Sequence, residues 1–154
     1  MKLSTKGRYG LRAMIDLVLN SRTEPVSIAS IAARQNISES YLEQLIAKLR
    51  KAGLVISVRG AGGGYVPGRQ AEEISVGDVL RALEGNLDLV DCPGLSAEKS
   101  CSGADVCVTK YVWKRINESI NHTVDEIKIS DLVNESREVQ KKNQMQGSCF
   151  EKKE

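Results

Sequence analysis

Apolar positions in the first half of the chain recur at helical spacing, and their period then switches to that of strands. Within residues 1–20, Leu11, Ile15 and Val18, with Ala13, Met14 and Leu17 beside them, form a broad apolar stripe that predicts a helix. Glu24-Pro25 ends it, and Ser27 is placed to cap a second, short helix over 28–35 with Ile28, Ile31 and Ala32 on one face. After a tight turn at Asn36-Ile37, Ser38 caps a third helix. In it Leu42, Leu45, Ile46 and Leu49 fall at i, i+3, i+4 and i+7, with Gly53 as its stop. Leu54 to Val58 and Tyr65-Val66 are β-prone, and Arg59-Gly60-Ala61-Gly62-Gly63-Gly64 joins them as the tip of a hairpin. Ser75 with Asp78 opens a fourth helix by a capping box, and Gly85 closes it after Glu84. Farther on, Val112, Trp113, Ile116, Ile120, Val124 and Ile127 continue an apolar stripe for about five helical turns, too long for so small a domain to bury. Ser130 caps a last short helix over 131–140, whose Leu132 and Val133 are expected to pack back on a dimer.

The fold this predicts is mainly α with a small β-hairpin wing: a winged helix-turn-helix domain followed by a long dimerisation helix. Residues 1–69 form the DNA-binding domain, 70–91 a linking helix and 92–107 a loop. Residues 108–140 form the dimerisation and C-terminal helices, and 141–154 a polar, flexible tail. With Leu42 and Leu49 turned inward, Ser40, Gln44, Ala47 and Lys51 come out on the opposite face of the third helix, with Tyr41, Glu43 and Lys48 on its flanks. Ser40 and Gln44 lie toward the end that meets base edges, where Gln pairs with adenine. Glu43 accepts from a cytosine amino group but repels phosphate, so it is either a selectivity filter or an ordinary surface acid. Arg59 and Gly60 at the base of the wing suit a narrow minor groove, although a hairpin needing positive φ would use the same glycine.

Charge sharpens this picture. Residues 1–69 hold eleven Lys and Arg against four acids, a charge of +7, whereas 70–154 hold eleven against sixteen, a charge of −5. Such asymmetry suggests a polyanion partner for the first half, with Lys2, Lys6, Arg8 and Arg12 available to phosphates; a solvated basic face is the plain alternative. At 154 residues the chain suits one small domain with an appendage. No apolar run approaches the roughly 20 residues of a membrane span and no leader-like run opens the chain, so a cytoplasmic protein without membrane attachment is expected.

The candidate chemistry lies between the fourth helix and the long one. Cys92, Cys101 and Cys107 fall in sixteen residues, with gaps of eight and five, and Pro93 and Gly94 keep the first part out of regular structure. Iron-sulfur ligation accepts such loose spacing. Structural zinc ordinarily shows paired knuckles and a fourth Cys or His, both missing from this loop, and redox-active or inert thiols remain a third reading. The odd count in the loop argues against a disulfide framework. An enzyme is not expected: there is one histidine, His122, and no nucleophile-base constellation. The glycine-rich tip is not followed by Gly-Lys-Ser/Thr, which disfavours a nucleotide loop. A small redox carrier would leave the basic helix-turn-helix without a role.

Three stretches, Lys2-Leu3-Ser4-Thr5-Lys6-Gly7-Arg8-Tyr9, Ser40-Tyr41-Leu42-Glu43-Gln44-Leu45 and Val58-Arg59-Gly60-Ala61-Gly62-Gly63-Gly64-Tyr65, precede the three cysteines in order. Together they resemble the iron-sulfur cluster regulators, a family of bacterial winged-helix transcription factors, over about residues 1–135. The resemblance implies a homodimer that binds double-stranded operator DNA and regulates cluster-assembly genes. It further implies a 2Fe-2S cluster on Cys92, Cys101 and Cys107, with cluster-assembly scaffold proteins as donors. In the family pattern a histidine three residues after the last cysteine is the fourth ligand, and here that position is Lys110. His122 lies fifteen residues past Cys107, roughly 22 Å along a helix, so it reaches only from a partner subunit. Arg8, which cannot serve, stands where related regulators use a ligand near the first helix, and Asp91, Glu98, Asp105, Glu43, Cys149 or an exogenous or solvent ligand remain as donors. The fourth ligand is unknown.

Overall fold

The computed structural model describes residues 3–96 and 98–150, with the backbone alone for 146–150. Lys2 and the Cys149 side chain therefore lie outside the described residues. The helix-turn-helix forms as its caps and periods dictate. The first helix, α1 (Thr5–Asn20), begins at Ser4, whose side chain accepts from the Lys6 N–H. In α2 (Ile28–Gln35) and α3 (Glu39–Lys51) the capping hydroxyls are Ser27 and Ser38. Asn36, at φ 53°, makes the left-handed turn between them. Strands β1 (Val55–Val58) and β2 (Gly64–Pro67) pair antiparallel with Val55 opposite Pro67 and Val58 opposite Gly64. Tyr65 also exchanges backbone hydrogen bonds of 2.8 and 2.9 Å with Val26, which fastens the wing to the start of α2.

A short 3-10 turn (Ala71–Glu73) leads to α4 (Val76–Glu84), which opens with the expected Ser75–Asp78 capping box. The stretch read as a linking helix is instead part of the core. Val79 and Leu83 of α4 are buried with Met14, Leu17, Leu45, Ile46 and Leu49. Gly10 permits this approach, since a methyl there would fall inside the Leu83 side chain.

The long helix α5 (Thr109–Glu126) and the final helix α6 (Ile129–Phe150) return over the same domain. Between them Val76 N–H donates to the Ile127 carbonyl and Ile129 N–H to the Ile74 carbonyl, both at 2.9 Å. The apolar stripe of α5 is consequently divided. Ile120 and Val124 pack against Val76, Leu80 and Leu87 of their own chain, while Val112 and Ile127 stay exposed, and Trp113 and Ile116 are half-buried. Val133 is buried against the N-terminal domain rather than turned toward a partner. The last helix also differs from expectation at both ends. Asp131 closes its first turn by accepting from the Lys128 N–H at 2.9 Å, in place of Ser130. It runs to Phe150 instead of ending at 140, because Lys141-Lys142-Asn143-Gln144-Met145-Gln146 is polar but contains no helix breaker, and polarity is no bar to helix.

Candidate nucleic-acid interface and cysteine loop

Because Leu42, Leu45, Ile46 and Leu49 are almost fully buried, α3 turns Ser40, Glu43, Gln44, Ala47 and Lys51 to solvent along one face. Tyr41 is half-buried and holds this face to the start of α1. Its ring meets Tyr9 edge-on with centroids 6.1 Å apart, and its hydroxyl pairs with Thr5 Oγ1 at 3.3 Å. Arg8 and Arg12 stand 6.0 and 5.4 Å from the Tyr9 ring centre, so two cations, two aromatics and the recognition helix form one surface. At the wing, Arg59 and Gly60 are exposed, and Gly60 takes φ 113°, a conformation that side chains rarely adopt.

Two flanking residues of α3 behave differently. The Lys48 ammonium donates to the Leu83 carbonyl at 3.3 Å and so faces α4. Glu43 is exposed, and among the described residues its carboxylate makes no ion pair or hydrogen bond. Its negative charge is thus left uncompensated, with exposed Glu39 one turn before it and neutral or basic residues beyond.

Sequence reasoning missed Glu84. An acid in the last turn of a helix opposes the helix dipole, which was the available signal that it has another role. It accepts from Ser4 N–H at 3.0 Å, the Ser4 hydroxyl and Gly7 N–H at 3.0 Å, completing the N-terminus of α1. Desolvation pushes the Glu84 carboxyl up, but these three hydrogen bonds and the nearby Lys6 outweigh it and hold it below its ordinary value. The end of α4 therefore holds α3 through Lys48 and α1 through Ser4 and Gly7, and the cysteine segment starts eight residues after Glu84.

That segment is attached to the fold at few points. Leu89 N–H donates to Oδ1 of buried Asn117 at 2.8 Å, the one polar side chain on the inner face of α5 to be buried. Lys99 pairs with Asp91 at 2.7 Å, and the Lys110 ammonium donates to the Ala104 carbonyl. Cys92 and Cys107 are half-buried, Cys101 is exposed, and all three are free thiols. The Thr109 hydroxyl, 3.1 Å from Cys107 Sγ, and the Lys110 and Thr109 N–H groups draw the Cys107 thiol toward thiolate, with the Lys110 charge adding to them. As donors these sulfurs suit an iron-sulfur cluster. Their conformation does not gather them: among the described residues no three His, Cys, Asp or Glu side chains form a group able to hold a metal ion.

The fold, with its tripartite order of reader, cysteine segment and long helix, is matched by known proteins. The model of the family described as Rrf2, iron-dependent transcriptional regulator, matches residues 3–135. The chain belongs to the Rrf2 family. The HTH-type transcriptional regulator IscR of Klebsiella pneumoniae (strain 342) is 46% identical over 134 residues, 87% of this chain and 80% of that protein. The IscR of Escherichia coli O1:K1 / APEC is 45% identical over the same length, 81% of its own. Of solved structures, T. potens IscR agrees with a TM-score of 0.72 at 46% identity, covering 91% of each chain. CymR, described as the global cysteine regulator of B. subtilis, agrees with a TM-score of 0.70 at 41% identity, over 87% of this chain and 97% of its own. This Rrf2 protein is thus a DNA-binding transcriptional regulator of the IscR type and not an enzyme, and none of its described helices is long and apolar enough to cross a membrane.

Proposed function

We propose that this Rrf2 protein is a cytoplasmic homodimer that reads operator DNA with α3 and the wing and adjusts its choice of operator to iron-sulfur cluster supply, controlling cluster-assembly genes. The observation that carries the reading is the joint at the end of α4. Leu83 and Glu84 grip the recognition helix and the basic start of α1, and the three thiols follow on the same run of chain. Cys92, Cys101 and Cys107 are the proposed ligands of a 2Fe-2S cluster delivered by scaffold proteins, with the fourth ligand undetermined. When bound, such a cluster supplies a compact inorganic core that ties the sulfurs together. Lys110 is placed to steady the loop through Ala104, not to ligate.

DNA contacts are assigned to Ser40, Tyr41, Glu43, Gln44 and Lys51 of α3, to Arg59 and Gly60 of the wing, and to Lys2 and Arg8. Lys48, expected among them, acts instead by holding α3 against α4. Of the stripe Val112, Trp113, Ile116, Ile120, Val124 and Ile127, the partner subunit is proposed to cover Val112, Trp113, Ile116 and Ile127, the part that the protomer leaves open beside Ile120 and Val124. A thiol-based regulator is the second reading, favoured by the accessible, thiolate-leaning Cys107. Iron and sulfide analysis with an absorption spectrum of anaerobically purified protein separates the two. About two irons and two sulfides per subunit support the cluster, and metal-free protein whose DNA binding responds to thiol oxidation supports the other.

A further inference from the structure

A second cleft lies away from the cysteines, where α1, α2 and α6 meet. It has a volume of about 740 Å³ and is lined by Arg12, Arg22, Arg34 and Arg137, with Asp16 as the one acid there among the described residues. That volume is in the range of small-molecule sites. Asp16 does not neutralise the group, since its buried carboxylate already takes the Arg34 fork at 2.7 to 3.1 Å and Gln35 Nε2 at 2.8 Å. The cleft therefore keeps an excess of three positive charges.

Two of the arginines are held in place although exposed. Arg34 is clamped by Asp16, and Arg12 is held by Gln35 through its side-chain oxygen at 3.0 Å and its carbonyl at 3.4 Å, against the Tyr9 ring. Arg137 is brought in by α6, one turn beyond the buried Val133 that seats this helix on the domain. Guanidinium groups that outnumber the acid among them repel one another, and their planar forks match carboxylate and phosphate oxygens.

From this geometry we infer that the cleft between α1, α2 and α6 binds a small multivalent oxyanion, a di- or tricarboxylate or a phosphate ester. The occupant bridges the reader domain to α6 through Arg12, Arg22, Arg34 and Arg137. The site is independent of the cysteine loop and makes the protein responsive to a metabolite as well as to the chemistry of its thiols.

The experiment is calorimetric titration of the full chain with citrate and with pyrophosphate at matched ionic strength, with acetate as control. Saturable binding of citrate alone identifies a carboxylate ligand, of pyrophosphate alone a phosphate ligand, and of both the shared chemistry. Arg137→Ala and Arg22→Ala should each weaken it about tenfold, the loss of one charged hydrogen bond, while leaving the melting temperature in anion-free buffer unchanged. Absence of saturable binding to either anion overturns the proposal, as does binding by both variants as tight as the parent's. Loss of duplex-DNA affinity by Arg137→Ala in anion-free buffer also overturns it, because the cleft would then belong to the DNA surface.

Discussion

Lys48 Nζ lies 3.3 Å from the carbonyl oxygen of Leu83, so the recognition helix is fastened by its own side chain to the last turn of α4. Lys48→Met keeps the stem packed but removes the donor. Its expected effect is weaker binding to specific operator, with the slope of affinity against salt nearly unchanged, because no phosphate contact is lost. A reduced slope in fluorescence-anisotropy titrations would show that Lys48 meets the backbone of DNA instead.

Next to it, Glu84 offers a pH test. Its folded value is depressed, so its contribution is complete above the ordinary glutamate value of about 4.3 and disappears as pH falls through the lower folded value. Glu84→Gln should cost about 1–2 kcal/mol at pH 7. The difference between variant and parent in urea melts should shrink as pH drops below about 4.3; a constant difference contradicts the assignment.

The cluster reading predicts that Ala at Cys92, Cys101 or Cys107 abolishes iron binding and the charge-transfer absorption, and that Ala at Cys149 does not. Iron retained by any of the three single variants removes that residue from the ligand set.

The divided stripe of α5 refines the dimer test. Ile120→Asp would place a charge against the protomer's own α4 and destabilise the fold as well as any interface. Val112 is 51% exposed in the protomer, so Val112→Asp should give a folded monomer. Sedimentation showing an unchanged dimer for that variant would place the interface elsewhere.

On the DNA face, Glu43→Ala should let the cluster-free dimer accept sequences that the parent rejects, a mismatch worth about 1–3 kcal/mol per contact. Arg59→Ala should weaken all sequences alike and lower the salt slope by roughly 1 per subunit if it meets a phosphate. Unaltered discrimination by the Glu43 variant would leave it an ordinary surface acid.

The elements were legible because local signals agree with the global fold: Ser27, Ser38 and Ser75 cap the helices they precede, and the α3 stripe is the buried one. Long-range relations were not legible. The role of Gly10 depends on Leu83 arriving from 73 residues away, and that of Glu84 on Ser4 from the other direction. The period of α5 showed that its stripe needed covering but not that α4 supplies half of the cover. At the candidate site the cysteines themselves were plain in the chain, whereas Asn117, which pins Leu89, stood out from its apolar neighbours no more than Asn121 one turn on.

The few attachments of the segment from Asp88 to Val108 carry a further consequence. Its neighbours on both sides, α4 and α5, are locked by the Val76, Leu80, Ile120 and Val124 cluster and by Arg81, which donates to Asn121 at 2.9 Å and pairs with Asp125. Lengthening or replacing the segment therefore leaves the frame's own contacts intact. The architecture behaves as a socket: a fixed mount with a removable insert. Grafting a loop with a different donor set between Leu87 and Thr109 should preserve folding and DNA shape recognition while changing what the protein senses.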